Sequence, residues 1–291
     1  MIKNTRPPTG GTTAKHRETK LQAGVVMVYV FLILLTLLFL FPMYLSLINS
    51  LNNWYSPPTV RPMALRWQNY VDATTLIDFW KYTGNSLVMA AITVVTSTLS
   101  SALAGYAFAR LKAPGRNALF MIVVSTMMMP GIITQIPTYI LFFKFKLLNT
   151  YLPWLFWGLG GSGFSIFLYR QFFQSIPTEL EDAARIDGCS ILRTYWNIFL
   201  PISLPVVATV GILTFHGSWN DVVGPFMYLK QDRYPLATAL SMIGYTVQGS
   251  RQVIVQVQMA AGLLLAAPII VTFFLGQRFI VQGIVSTGIK G

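Results

Sequence analysis

The chain has 291 residues, of which 54% are hydrophobic and only 10% charged, with a mean hydropathy of +0.58. Soluble domains carry roughly a quarter charged residues, so this balance excludes an ordinary soluble protein and indicates an integral membrane protein. The net charge of +12 does not point to nucleic acid, because the basic residues form no patch interleaved with aromatics and instead flank apolar runs.

Residues 1–21 are polar and basic, with Pro7-Pro8 and Gly10-Gly11, and read as a disordered tail against an anionic leaflet. Residues 22–291 read as one membrane-embedded domain. Lys, Arg, Asp and Glu leave six uncharged runs, at 23–50, 85–109, 117–143, 147–169, 194–220 and 252–277. Each exceeds the roughly 20 residues that a helix needs to cross the hydrocarbon layer. Membrane strands are far shorter and alternate in polarity, which excludes a barrel. The expected fold is therefore an all-α, polytopic bundle of six transmembrane helices.

A cytoplasmic N-terminus places thirteen basic residues inside and eight outside, with Lys3, Arg6, Lys15, Arg17 and Lys20 dense in the first tail. The positive-inside rule favours that orientation, with both termini cytoplasmic. The first run is too long for a signal-peptide core and reads as a retained helix. The segment 51–84, with three prolines and Trp54, Trp67 and Trp80, reads as an outer interfacial loop with an aromatic anchor.

Run two is rich in Ser, Thr, Ala and Gly, which lets helices pack closely in lipid. Run three carries Pro130 and Pro137, so a bend is expected, beside a path or merely structural. In the same run Tyr139, Phe142 and Phe143 offer either stacking faces for a sugar or ordinary packing. Run four is interrupted by GLGGSG at 158–163, which suits either close packing or a widened cavity. Between runs five and six, the stretch 222–229 is apolar but too short to span, and should dip into or lie over the outer mouth.

The runs contain no carboxylate, the usual coupling group of an ion-driven carrier. His216 near the end of run five reads as a packing residue, because a proton relay needs partners. His16 and His216 make no metal site, no Gly-Lys phosphate loop occurs, and neither a His-Glu-x-x-His nor a Gly-x-Ser-x-Gly motif is present. The single Cys189 excludes an internal disulfide. The chain reads as no enzyme and as binding no cofactor. A nucleotide that drives transport must sit on another polypeptide.

Four of the nine acidic residues lie in one insert, 178–201, between runs four and five. Thr178 and Glu181 form a capping-box pattern, and Glu179, Glu181 and Asp182 fill the first helical turn. Glu181 and Arg185 stand one turn apart, and Gly188 supplies a stop. The spacing predicts a short cytoplasmic helix over about 178–190. Leu180, Ala183, Ala184 and Asp187 share one small, partly apolar face, better suited to a partner's groove than to lipid.

The order Asp182, Ala183, Ala184, Gly188, Ile198, Leu200, Pro201 resembles the Glu-Ala-Ala motif of the membrane subunits of bacterial ATP-binding-cassette importers, with Asp in place of the usual Glu. NSLVMA, AGYAFARLKAPGR, IPTELEDAARIDG, FHGSWND and QRFIVQGIVSTGIKG extend the resemblance to the carbohydrate-uptake branch, in particular the smaller permease of maltose-type importers.

The resemblance implies a transmembrane permease domain at 22–291 in a bacterial inner membrane, with a coupling helix between spans four and five. It implies a second related permease as partner, two ATPase subunits holding ATP and Mg, and an extracytoplasmic solute-binding protein. Glu181, Asp182, Ala183, Ala184, Arg185, Asp187, Gly188, Ile198, Leu200 and Pro201 are the implied ATPase-coupling residues, and 221–251 matches the loop that reaches into the binding protein. Sugars are the implied solute. Polyols, glycerol phosphodiesters and peptides are alternatives within the class, and an ion-coupled carrier or channel is one outside it. The sequence assigns no substrate-binding residue.

Overall fold

The structure is a computed structural model that describes residues 11–246 and 252–288. It is helical, apart from an isolated antiparallel bridge between Thr246 and Val253. Helix α1 (Gly11–Ser50) begins inside the stretch expected to be a disordered tail. Pro7 and Pro8 lie upstream of its start, and 14–21 is built largely from good helix formers. Three helices are long and apolar enough to cross a membrane, at Gly24–Ser50, Phe79–Arg110 and Val255–Phe279.

The short α2 (Gln68–Thr75) precedes α3 (Phe79–Arg110), the central helix. Around α3 pack α6 (Leu152–Gly160), α7 (Gly163–Ser175) and α11 (Leu204–Trp219). Small residues make this possible. A Cβ at Gly105 would overlap Tyr169 of α7, and one at Gly158 would overlap Thr96 of α3. The last helix, α14 (Val255–Gly288), packs on α11, α1 and α2.

Two of the expected spans are broken. Run three divides into α4 (Arg116–Thr126) and α5 (Gly131–Lys144), which meet at 97° rather than at a gentle bend. Pro130 is extended (φ −59°, ψ 127°) and has no N–H to continue the ladder, so the helix ends before it; Pro137 lies inside α5. Run five divides into the stretch Ile191–Ile202 and α11, bent by 77°. The first stretch comprises α9 (Ile191–Thr194), a π-helical turn (Tyr195–Phe199) and α10 (Leu200–Ile202). Pro205 at the start of α11 crowds the carbonyl four residues back and donates nothing, which places the corner at Ser203.

Counting each bent pair as one crossing brings the spans to five by length and composition among the described residues. Run four is carried by α6 and α7. Gly161, at φ +70°, turns the chain between them, and the Ser162 Oγ accepts from the Ser165 N–H at 3.5 Å to start α7. The GLGGSG stretch thus serves close packing at Gly158 and a helix break at Gly161.

At the end expected to face outward, α12 (Val223–Tyr228) and α13 (Leu236–Met242) fold back onto the bundle. Leu236 to Leu240 are all buried. The Leu236 N–H donates to Ser86 Oγ at 2.8 Å, and Asn85 Nδ2 donates to the Tyr234 carbonyl at 3.0 Å, so the first two residues of NSLVMA fasten this insert to α3. Over α12 and α13 the segment is partly docked: Pro225, Tyr228 and Leu236 to Leu240 are buried, whereas Val223, Phe226 and Met242 are exposed. Residues 247–251 lie outside the described residues.

Candidate functional site

Helix α8 (Glu179–Ile186) forms where the insert predicts it. Its C-terminal end follows the expected chemistry. Gly188 adopts φ +73°, Cys189 N–H donates to the Ala184 carbonyl at 2.9 Å and Gly188 N–H to the Arg185 carbonyl at 3.0 Å, a Schellman closure. Its N-terminal end does not. Thr178 is helical (φ −70°, ψ −23°) and caps nothing with its side chain. Glu181, the other half of the expected capping box, turns away from the terminus to pair with Arg185 at 2.6 Å and Arg110 at 3.9 Å. Two cations outcompete one backbone N–H for the carboxylate.

Of the expected face of α8, Leu180, Ala183 and Asp187 are exposed and Ala184 is not. Ala184, read as a contact residue, is buried against the chain's own bundle at 3% exposure, on the same side as Glu181. Glu179, Asp182, Ala183 and Ile186 form the outward side. Ile186, which the sequence reading passed over, is 86% exposed. Leu180, Arg185, Asp187 and Gly188 are also exposed. Simple i, i+3, i+4 spacing identifies a stripe but not which way it turns.

Beneath α8 lies an aromatic cluster of Tyr106, Tyr169, Phe173, Tyr195 and Phe199. Tyr106 is the hub, with ring centroids 5.9 Å from Phe173, 5.2 Å from Tyr195 and 5.0 Å from Phe199. Ile198 and Leu200 pack against this cluster, whereas Pro201 is exposed at the corner. The ten residues of the expected coupling set thus divide into an exposed face on α8, a root at the buried Ala184 and half-buried Glu181, and a stem whose Ile198 and Leu200 pack inward while Pro201 is exposed.

A second feature opens at the other end. A cleft of about 400 Å³ is lined by α3, α6, α7 and α11, among others by Trp154, Trp157, Ser162, Thr214, Ser218 and Asp221. Trp157 keeps 37% of its surface exposed, and the buried Ser218 Oγ has no hydrogen-bond partner among the described residues. Burial pushes the Asp221 carboxyl above its usual range, against donors from Gly224 N–H (3.0 Å), the Trp154 side chain and Val223 N–H. Hydroxyls, an amphipathic ring face and one acceptor are the groups that recognise polyhydroxylated solutes. The sequence reading assigned no such residues, since a cleft assembled from four helices leaves no local motif.

Of the aromatics weighed for stacking, Phe142 is buried and Tyr139 partly buried in a cluster with Trp154 and Tyr228, so they pack; Phe143 is exposed. His216 Nε2 lies 3.1 Å from Thr272 Oγ1, as fits a packing residue. Among the described residues no three His, Cys, Asp or Glu side chains gather to hold a metal ion.

Residues 97–286 match the family described as binding-protein-dependent transport system inner membrane component. The chain is 32% identical over 232 residues to the arabinooligosaccharides transport system permease protein of Halalkalibacterium halodurans, covering 79% of this chain and 81% of that one. It is 30% identical to the probable starch degradation products transport system permease protein of Thermoanaerobacterium thermosulfurigenes, covering 89% and 94%. It is 32% identical to the sn-glycerol-3-phosphate transport system permease protein of Yersinia pestis, covering 89% and 95%. In fold it is similar to a chain of a bacterial ABC transporter involved in the import of the acidic polysaccharide alginate, with a TM-score of 0.77 over 94% of this chain and 99% of that one at 21% identity. A multi-pass membrane chain with this match over most of its length belongs to the binding-protein-dependent transport system inner membrane components.

Proposed function

We propose that the chain is one of two permease subunits of an ATP-driven importer of saccharides, crossing the membrane six times with both termini and α8 in the cytoplasm. A related permease completes the path, an ATPase pair hydrolyses ATP below, and a solute-binding protein delivers from outside. Movement of the ATPase on nucleotide binding displaces α8, and the bent stretch Ile191–Ile202 passes that displacement to α11 as a rigid-body shift.

The observation that carries the reading is the exposed side of α8. Ile186 and Ala183 stand clear of the bundle beside Asp182 while the root of the same helix is buried, an arrangement that needs a protein groove to cover it. The solute class rests on the relatives that carry arabino-oligosaccharides and starch fragments, and on a cleft whose Trp157, Ser218 and Asp221 suit a sugar.

The test is co-purification of the ATPase with Ile186→Arg. A charge forced into a contact centre weakens binding by about 2 kcal/mol or more, roughly thirtyfold, so the ATPase should be lost while the chain still inserts. Undiminished co-purification and transport would sink the reading.

A further inference from the structure

Arg110 ends α3, 71 positions before Glu181, and its side chain is only 6% exposed. Its guanidinium donates to two carbonyls at the end of α7, that of Phe173 at 2.5 Å and that of Ile176. A cation there also complements the negative end of the helix. Its Cζ lies 5.0 Å from the ring centroid of Phe199 in the π-helical turn. Nη1 stands 3.9 Å from the Glu181 carboxylate, whose side chain is itself 13% exposed. One planar group therefore touches α3, α7, α8 and the stretch that leads into α11.

A buried charge persists only where partners surround it, and the partners of Arg110 lie on three segments other than its own. Glu181 is held on its other oxygen by Arg185, so the carboxylate has little freedom to swing. We infer that Arg110 is the positioning residue that makes α8 move in one piece with the ends of α3 and α7. Without it α8 keeps its outward face but pivots on its own root, and a pull on that face is spent in bending the joint. This inference rests on α8 being the surface that the ATPase moves, but the nucleotide-free distance reports on the joint itself.

The experiment uses two nitroxide labels in the full assembly, one on the native Cys189 just past α8 and one on Leu103→Cys at an exposed position of α3. With Arg110 present, the distance distribution should be narrow and should stay unchanged between the nucleotide-free and the ATP–vanadate-trapped states, because both labels ride on one body. Arg110→Gln should broaden the distribution without nucleotide and shift it on trapping. Arg110→Lys, which keeps the charge but loses the fork to two carbonyls, should recover part of the narrow distribution.

If Arg110→Gln fails to accumulate, Glu181→Gln replaces it with the same expected broadening, since the cation keeps its carbonyls. Distributions for Arg110→Gln or Glu181→Gln that match the parent in both states would overturn the inference. Failure of the wider reading looks different: Ile186→Arg would then leave ATPase co-purification intact, while the nucleotide-free distributions still report whether Arg110 holds the joint.

Discussion

Two short inserts, each too short to span, meet opposite fates. The insert at α8 stands off the bundle with Ile186 and Leu180 exposed, whereas α12 and α13 fold down until Tyr228 and Leu236 to Leu240 are buried. Length does not separate them, at eight residues for α8 and six and seven for the others. The difference lies in the partners offered to the backbone and the side chains. At the outer end Ser86, Asn85 and Thr238 satisfy polar groups around the insert, which lets its apolar side chains go in. At α8 Glu179, Asp182, Asp187 and Arg185 keep most of the helix outside, and only Glu181 and Ala184 reach the bundle.

The comparison breaks most readily at Tyr228. This side chain is 3% exposed, meets Thr138 Oγ1 at 2.9 Å and the Gln135 carbonyl at 3.2 Å, and touches the rings of Phe142, Trp154 and Trp157. Tyr228→Ala should destabilise the chain by about 3–5 kcal/mol, seen as a large fall in the thermal midpoint in detergent. A fall no larger than that of an α8 surface variant would show that the outer insert is not docked.

Trp157→Ala sharpens the functional side of the contrast. Loss of its exposed face should raise the half-saturating concentration of an imported oligosaccharide roughly fivefold, about 1 kcal/mol, in uptake normalised to folded protein. An unchanged value would remove the cleft from the path. The most local effect is expected of Gly188→Ala. A Cβ there meets nothing within 4 Å, so only the left-handed backbone is penalised, by about 1–2 kcal/mol. Faster hydrogen exchange confined to residues 184–189, with an unchanged thermal midpoint, is the expected record.

The sequence makes the apolar runs, the polar insert and its glycine stop legible because each is local: a window of hydropathy, a cluster of acids, a residue tolerant of positive φ. The breaks at 127–130 and Ser203 are less so. Pro130, Pro201 and Pro205 mark them, yet proline permits a gentle kink as well as a corner, and neighbouring helices decide which. The burial of Ala184 was hidden for a different reason. Glu181 is claimed by Arg110, which lies 71 positions away, and no spacing rule within the insert registers that pull. The cleft around Trp157 draws on four helices and leaves no motif at all.

The π-helical turn at Tyr195–Phe199 fixes a direction in space as well as closing the stem. An α-helix advances about 100° with each residue, and a π turn accommodates one residue more than its α counterpart. Deleting one residue there, and so restoring the tighter ladder, would swing everything upstream by roughly that angle relative to α11. That extra residue therefore helps set how the stem faces α11.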